Sequence, residues 1–498
     1  MRNAHAVTDV RAAEAALMAV LPDGALMQRA AAGLASTCGG LLGQVYGSRV
    51  VVLAGTGDNG GDALFAGARL ASRGARVTVI AAGSRLHEAG ARALRLSGGR
   101  IIDAAAAAPA MGEADLVIDG ILGIGGHGGL REPAATLASL AARAADAGAL
   151  VVATDLPSGV DADTGETAGA AIRADVTVCF GTVKPGLLVD PGASHAGTVH
   201  LVDIGLGPYL GAPAVTAMQS ADVAALLPRP GAESDKYRRG VLGVLAGSRR
   251  YTGAAVLSVG GAIRGGAGMV RLVSDRPAAD VVRQHWPEAV ITVLDDLPAG
   301  TGAIEAAGRV QAWAAGPGLG TDDHAAGLLA AVLATPLPVL VDADGLTVLA
   351  RRRDLLSRPA GAVTLITPHA GELARLLDGD HGEIEARRLE SVRRAAAELG
   401  VTVLLKGSTT VIATPDPGDP VLVNPTGTPW LATAGSGDVL SGLAGALLAQ
   451  GVRPVRSAAA AAAFLHGLAG RLAAGGGPIG ASDIIGALPQ AVRLVTAP

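Results

Sequence analysis

From residue 49 the chain alternates between short β-branched apolar runs and Ala/Leu-rich stretches of helical length. The runs RVVVLA, ARVTVIAA, ADLVIDGI, ALVVATDLP, ADVTVCF and TVHLVDIG are apolar almost throughout rather than at alternate positions. Strands of that kind are buried on both faces, which predicts a parallel sheet with helices on either side. Segments 62–72 and 133–147 supply two such helices, and one or two more precede the first strand. The expected result is a three-layer α/β/α unit.

The pattern lapses at GLGPYLGAPAVTAMQSADVAALLPRPGAESDKY, where proline, glycine and small polar residues mark a boundary near 210–225. A second α/β series follows: GVLGVLAGS, GMVRLVS, AVITVL, AWAAGPGLG, PVLVDADGL, AVTLITPHAGE, VTVLLKGS and TTVIATP. The loop motifs of the two series differ, so they are two distinct domains, 1–215 and 216–498, and not copies of one.

Composition changes this picture only in places. With 50% apolar residues but 2% aromatics, the cores must be built from Ala, Val, Leu and Ile, and the 72 glycines are spread through loops rather than gathered in one tract. A net charge of −4 gives no footprint for nucleic acid or an acidic membrane. Cys38 and Cys179 have no metal-ligand spacing, which suits a reduced, cytoplasmic setting. Asp9, Arg11 and Glu14 interrupt the place where a signal peptide needs an apolar core. The alanine-rich stretch 458–474 contains His466 and Arg471 and reads as a buried helix, not a membrane span.

The candidate chemistry lies in the loops. AGTGDNGGDALFAG (54–67) follows the first strand and contains G-x-G-x-x-G at Gly55, Gly57 and Gly60. A dinucleotide fingerprint also needs an acid at the end of the second strand, yet none follows Ile80 until Glu88. Walker A is excluded because no Lys-Ser/Thr follows the glycines. Three other strand ends face the same rim: DGILGIGGHGG with Asp119, TDLPSGVDADTG with Asp155 and Ser158, and CFGTVKPG with Lys184. Lysine occurs only at 184, 236 and 406 in an arginine-rich chain, so each retained amine is informative. Taken singly, Asp58 and Asp62 suit helix capping and Asp119 a turn. Four loops converging on one rim describe a site.

DNGGDALFAGARL, DGILGIG, DLPSG and FGTVKPG resemble the motifs of NAD(P)H-hydrate epimerase domains, over about residues 10–210. The resemblance implies a Rossmann-like domain that interconverts the R and S forms of NADH or NADPH hydrated at C6 of the nicotinamide ring. It implies substrate contacts from Asp58, Asn59, Gly60, Gly61 and Asp62, from Gly123, Ile124, Gly125, Gly126, His127, Gly128 and Gly129, and from Asp155. It also implies a potassium ion held by Asn59, Asp119 and Ser158, an oxygen-donor set suited to a hard monovalent cation. Asp155 and Lys184 are the candidate acid–base pair. Asp58 stands where the family loop usually has a second Asn.

In the second series, GSGDVLSGLAGALLAQG (435–451) places glycines at a strand-to-helix turn, leaving amides free for a phosphate in transfer. Asp438 is placed there to take a proton from a substrate hydroxyl, or alternatively to cap the helix. GPGLG (316–320), VDADGL (341–346) with Asp342 and Asp344, TPHAGE (367–372) with His369 and Glu372, and LLKGSTTVIA (404–413) with Lys406 join it.

With GVLGVLAGSRRYTGAAVLS and IRGGAGMVRL, these motifs resemble the ribokinase-like superfamily and, within it, NAD(P)H-hydrate dehydratase domains, over about residues 225–495. The resemblance implies dinucleotide contacts from Ala254 or Ala255, Gly318 and His369. It implies nucleotide contacts from Lys406, Gly407, Ser408, Thr409, Thr410 and Gly437, with Asp438 the catalytic base. Mg2+ would accompany ADP or ATP; the fused arrangement resembles enzymes that use ADP. The family's common His-Lys-Gly is here Asp235-Lys236-Tyr237. A homo-oligomer acting on small molecules, with no nucleic acid or membrane partner, completes the expectation. The rivals are a ribokinase-type vitamin or sugar kinase with a regulatory dinucleotide-binding fusion, and a non-enzymatic dinucleotide-binding or RNA-associated scaffold.

Overall fold

The computed structural model of the chain describes residues 1–296 and 302–497. They divide into two compact units, Asn3–Val215 and Thr216–Pro498, the second joined by Met1–Arg2. The terminal amine lies 2.8 Å from the Asp222 carboxylate in that second unit.

The first unit is built on a seven-stranded sheet in the order Arg100–Asp103, Arg76–Ala81, Arg49–Ala54, Leu116–Gly120, Leu150–Thr154, Val176–Phe180, Thr198–Val202. Every neighbouring pair is parallel, and Leu53 is in register with both Ile80 and Asp119. Side chains of the central strand alternate between two cores. Val50 and Val52 pack with Leu34, Leu64 and Leu70 on one face, Val51 and Leu53 with Leu137 and Met111 on the other. That double burial is why these runs carry no polar alternation. Arg100–Asp103 was not among the expected strands; it is a partly exposed edge strand without a continuous apolar run.

The second unit carries a larger sheet ordered Val421–Asn424, Thr410–Ala413, Thr402–Leu405, Thr364–Ile366, Val339–Val341, Ala312–Ala315, Val241–Leu245, Met269–Ser274, Val290–Val293. Pairing is parallel from Thr402–Leu405 to Val290–Val293 and turns antiparallel at the hairpin formed by Thr410–Ala413 and Val421–Asn424. The helices Thr252–Arg264, Ser436–Ala449 and Val455–Ala474 contribute to one aromatic-poor core of Ala, Val and Leu. The last of these includes the alanine-rich stretch. No helix among the described residues is long and apolar enough to cross a membrane.

The chain order of strands reverses between Arg49–Ala54 and Leu116–Gly120 in the first sheet and between Val241–Leu245 and Ala312–Ala315 in the second. The loops leaving the carboxyl ends of strands at such a reversal are where open α/β sheets hold their ligands.

Candidate active sites

In the first unit the reversal places the glycine-rich loop beside the loop that begins at Ile121. A Cβ on Gly55 would lie 1.9 Å from the Ile121 carbonyl oxygen, and one on Gly60 would lie 2.3 Å from the Gly55 carbonyl oxygen. Two of the three glycines therefore serve to press loop backbones together. The helix that follows runs Asp58–Ser72, starting four residues earlier than expected. Gly57 stands at its N-cap with no side-chain cap, so Asp58 is not a capping residue.

Asp155 follows the strand Leu150–Thr154 in a left-handed conformation, φ 64°, a region that Asp tolerates better than most residues. Its Oδ1 accepts from the Phe180 amide at 3.0 Å and from the Lys184 ammonium. Lys184 also donates to the Phe180 carbonyl at 3.2 Å. The lysine is buried; burial works against its charge, but Asp155 foremost, with Cys179 and Glu14, holds its pKa above the ordinary lysine value. The amine is cationic, a proton donor within reach of Asp155.

Two further acids face this pair. Burial, followed by the charges of Asp155, Asp58 and Glu14, pushes Asp62 well above the usual carboxylate range. Its Oδ1 is buried and makes no hydrogen bond. Glu14, on the helix Val7–Met18, is raised by burial and is coupled to Lys184, Asp155 and Asp58. Sequence reasoning missed Glu14 as a site residue, because an acid among the alanines of an amphipathic helix carries no motif.

Asn59, Asp119 and Ser158 meet around Leu122. The Asn59 amide donates to the Leu122 carbonyl at 2.9 Å, and the Ser158 hydroxyl donates to Asp119 Oδ1 at 2.6 Å. That hydroxyl accepts from the Leu122 amide at 2.9 Å, while Asp119 Oδ2 accepts from the Ser158 amide at 2.8 Å. Asp119 is fully buried, and burial pushes it up to about 6 against these hydrogen bonds. His127, in the loop 123–129, stands exposed with Nδ1 3.1 Å from Asp161.

In the second unit the loops surround a cavity of about 690 Å3. Among the expected residues, His369, Lys406, Gly407, Ser408, Thr410, Gly437 and Asp438 line it. Thr409 is buried, with its carbonyl accepting from Arg388 at 3.1 Å. Asp342 organises the centre. Its Oδ1 accepts from Lys406 Nζ at 2.7 Å and its Oδ2 from the Ser441 hydroxyl at 2.5 Å. Burial opposes the Lys406 charge, but Asp342 and then Glu372 hold its pKa above the ordinary value.

Asp438 lies in the first turn of Ser436–Ala449, whose N-cap is Gly435, so it is not the cap. Burial, and then Asp342, pushes it up to about 7 against the pull of Lys406. His466, from Val455–Ala474, is pushed down to about 4 by burial; its neutral ring donates from Nε2 to the Ser436 carbonyl at 2.9 Å. That residue fixes the helix start and went unnoticed as a site residue in the alanine-rich stretch.

His369 has a structural duty as well as a place on the cavity wall. Its Nδ1 accepts from the Gly371 and Glu372 amides at 3.0 and 3.3 Å, capping the helix Ala370–Leu377, which leaves the ring proton on Nε2. Gly318 and Ala254 sit together at the strand-order reversal: a Cβ on Gly318 would meet that of Ala254 at 2.7 Å. Ala255 is buried against Gly247. Leu257, on the Ala254 helix, packs against Gly435, linking the reversal to the Asp438 turn.

Two family descriptions match the chain, "YjeF-related protein N-terminus" over residues 23–186 and "NAD(P)H-hydrate dehydratase" over 242–482. The bifunctional NAD(P)H-hydrate repair enzyme of Mycobacterium tuberculosis is 49% identical over 92% of this chain and 92% of its own length. The chain belongs to the bifunctional NAD(P)H-hydrate repair enzymes. The Mycobacterium leprae member is 48% identical, over 95% of this chain and 94% of its own. Among solved structures, a ribokinase-like superfamily protein from Enterococcus faecalis superposes with a TM-score of 0.52 at 27% identity, covering 58% of this chain and 99% of that one. This repair enzyme thus joins an epimerase and a dehydratase of hydrated NAD(P)H, and the reading as a vitamin or sugar kinase with a regulatory fusion is set aside.

Proposed function

We propose that the two crevices carry the two halves of the repair. In the first, Lys184 and Asp155 act on the C6 carbinolamine of the hydrated ring. The ring nitrogen lone pair expels the C6 hydroxyl as water, taking a proton from Lys184, and water returns to the opposite face of the iminium. Asp155 orients that water and the proton goes back to Lys184. The loops 58–62 and 123–129 hold the dinucleotide.

Potassium fits beside them. Asn59 keeps its amide oxygen as a donor while its nitrogen is engaged with Leu122, Ser158 retains a lone pair, and Asp119 is a buried carboxylate met only by neutral groups. A bound cation supplies the missing counter-charge.

In the second crevice, Asp438 takes the proton of the C6 hydroxyl as its oxygen attacks the terminal phosphoryl group of ADP or ATP. Hydroxide is a poor leaving group and phosphate a good one. The ring nitrogen then expels phosphate from C6, and loss of the C5 proton restores the dihydropyridine. Lys406 and the amides at the start of Ser436–Ala449 face the negative charge in transfer. Mg2+ fits the hard carboxylate oxygen of Glu372 on the cavity wall; it would neutralise phosphate charge when bound. The observation that carries this reading is Asp438, held near pH 7, opposite the Lys406–Asp342 pair.

The test supplies mixed R and S NADH hydrates with ADP or ATP and follows the return of NADH absorbance. Recovery of neither epimer with either nucleotide would refute it. The reading includes a homo-oligomer, checked by light scattering. It also includes a cytoplasmic setting, which the two buried free thiols support.

A further inference from the structure

Behind the loop 405–409 lies an arginine that no motif announces. Arg388, on the helix Arg388–Leu399, has a side chain with 0% exposure. Its Nη2 donates to the Lys406 carbonyl at 2.8 Å and the Thr409 carbonyl at 3.1 Å, and lies 3.4 Å from that of Leu405. Its Nη1 donates to the Glu385 carboxylate at 2.7 Å, and Glu385 itself lines the cavity. The fit leaves no room for a side chain at 407, since a Cβ there would sit 2.2 Å from Nη2.

A guanidinium gathering the carbonyls of a turn fixes which way the peptide planes face. With these carbonyls drawn behind the turn, the amides of Gly407 and Ser408 donate to no protein group among the described residues. Both residues, with Lys406 and Thr410, line the cavity. Donors held in that orientation bind an anion without first paying an ordering cost.

We propose that Arg388 is a positioning residue for nucleotide binding: it holds the Leu405–Thr409 turn so that its amides and Lys406 face the nucleotide phosphates. Glu385 keeps the guanidinium in register. The inference rests on the nucleotide occupying this cavity, as proposed above. Arg388 itself does not line the cavity: its guanidinium is sealed behind the turn, with Nη2 on the turn carbonyls, Nη1 on Glu385 and a buried Nε that makes no hydrogen bond. Lys406 is held separately, by Asp342, so its charge survives the loss of Arg388.

The experiment measures Kd for Mg-ATP and Mg-ADP, together with kcat and KM for both substrates, in the full-length enzyme. The variants are Arg388→Lys, Arg388→Met and Glu385→Gln. Arg388→Met is expected to raise nucleotide Kd and KM about tenfold or more, with the KM for the hydrated dinucleotide unchanged and kcat at saturating nucleotide within about threefold. Arg388→Lys, which can reach fewer carbonyls, should fall between. Equal nucleotide Kd in parent and Arg388→Met overturns the proposal, as does a loss confined to kcat. If neither Arg388 variant is soluble, Glu385→Gln decides, since that side chain is half exposed and Gln keeps its shape and an oxygen acceptor for Arg388. A Kd unchanged in that variant overturns the proposal, and a rise of about threefold supports it. Failure of the parent enzyme to bind either nucleotide would instead refute the reading on which the inference rests.

Discussion

Asp438 must be buried enough to hold a proton and free enough to release one. Its ordinary pKa is 3.8 and its folded value about 7. A base must start deprotonated, so dehydratase kcat should climb as pH rises through about 7 and then level off, as pH–rate profiles will read directly. Stability runs the other way. The native state holds a proton that the unfolded chain releases above about 4, so this contribution is complete below about 4 and is lost as pH rises through 7. Asp438→Asn mimics the neutral acid at every pH. It should lose dehydration by at least about 100-fold, yet melt about 2–5 °C above the parent near pH 8 and level with it near pH 4. At this scale four residues singled out from loop motifs, Asp155, Lys184, Lys406 and Asp438, fall among the interacting groups described above, whereas Ala254, Ala255 and Gly318 do not line the cavity. Glu14, Arg388 and His466 were invisible, because each works from inside a helix through burial, which no local pattern encodes.

Among elements, the helix Ser436–Ala449 carries the largest structural load. It is buried along nearly its whole length and lies against Thr252–Arg264 at backbone distance. A Cβ on Gly442 would meet the Ser258 carbonyl oxygen at 1.9 Å, and one on Gly261 the Val439 carbonyl oxygen at 2.3 Å. This contact sets where the helix N-terminus, and so its anion-facing amides, stands. Gly442→Ala is expected to cost about 1–3 kcal/mol, seen in chemical denaturation, and to lower dehydratase kcat while sparing epimerisation. An unchanged denaturation midpoint would show that the helices do not need this approach. The apolar strands were legible as elements because continuous burial leaves no polar alternation. The edge strand Arg100–Asp103 and the antiparallel Val421–Asn424 were not. The first is half exposed, and the second, though apolar and buried, is only four residues long between Pro420 and Pro425.

For the molecule as a whole, two crevices in two compact units mean two separable chemistries. Asp155→Ala should leave recovery of the S hydrate intact and stall the R hydrate, so that NADH absorbance plateaus partway; equal loss of both would argue against separate sites. Replacing K+ by choline should slow only the exchange of epimers, whereas chelating Mg2+ should stop dehydration alone. The two-unit organisation could be read from the lapse in pattern after residue 205. The grouping of Met1–Arg2 with the second unit could not, since it rests on long-range contacts, among them the terminal amine with Asp222.

The scarcity of lysine has a practical consequence. Of the three amines, Lys184 is sealed at 1% exposure, Lys406 sits in the cavity, and Lys236 is exposed beside Tyr237. An acylating reagent at mild pH should therefore mark Lys236 and the chain terminus first, reach Lys406 slowly, and leave Lys184 intact, as peptide mass mapping will record. Bound nucleotide should shield Lys406 further. The protein thus offers a nearly unique handle for a fluorophore or a surface tether.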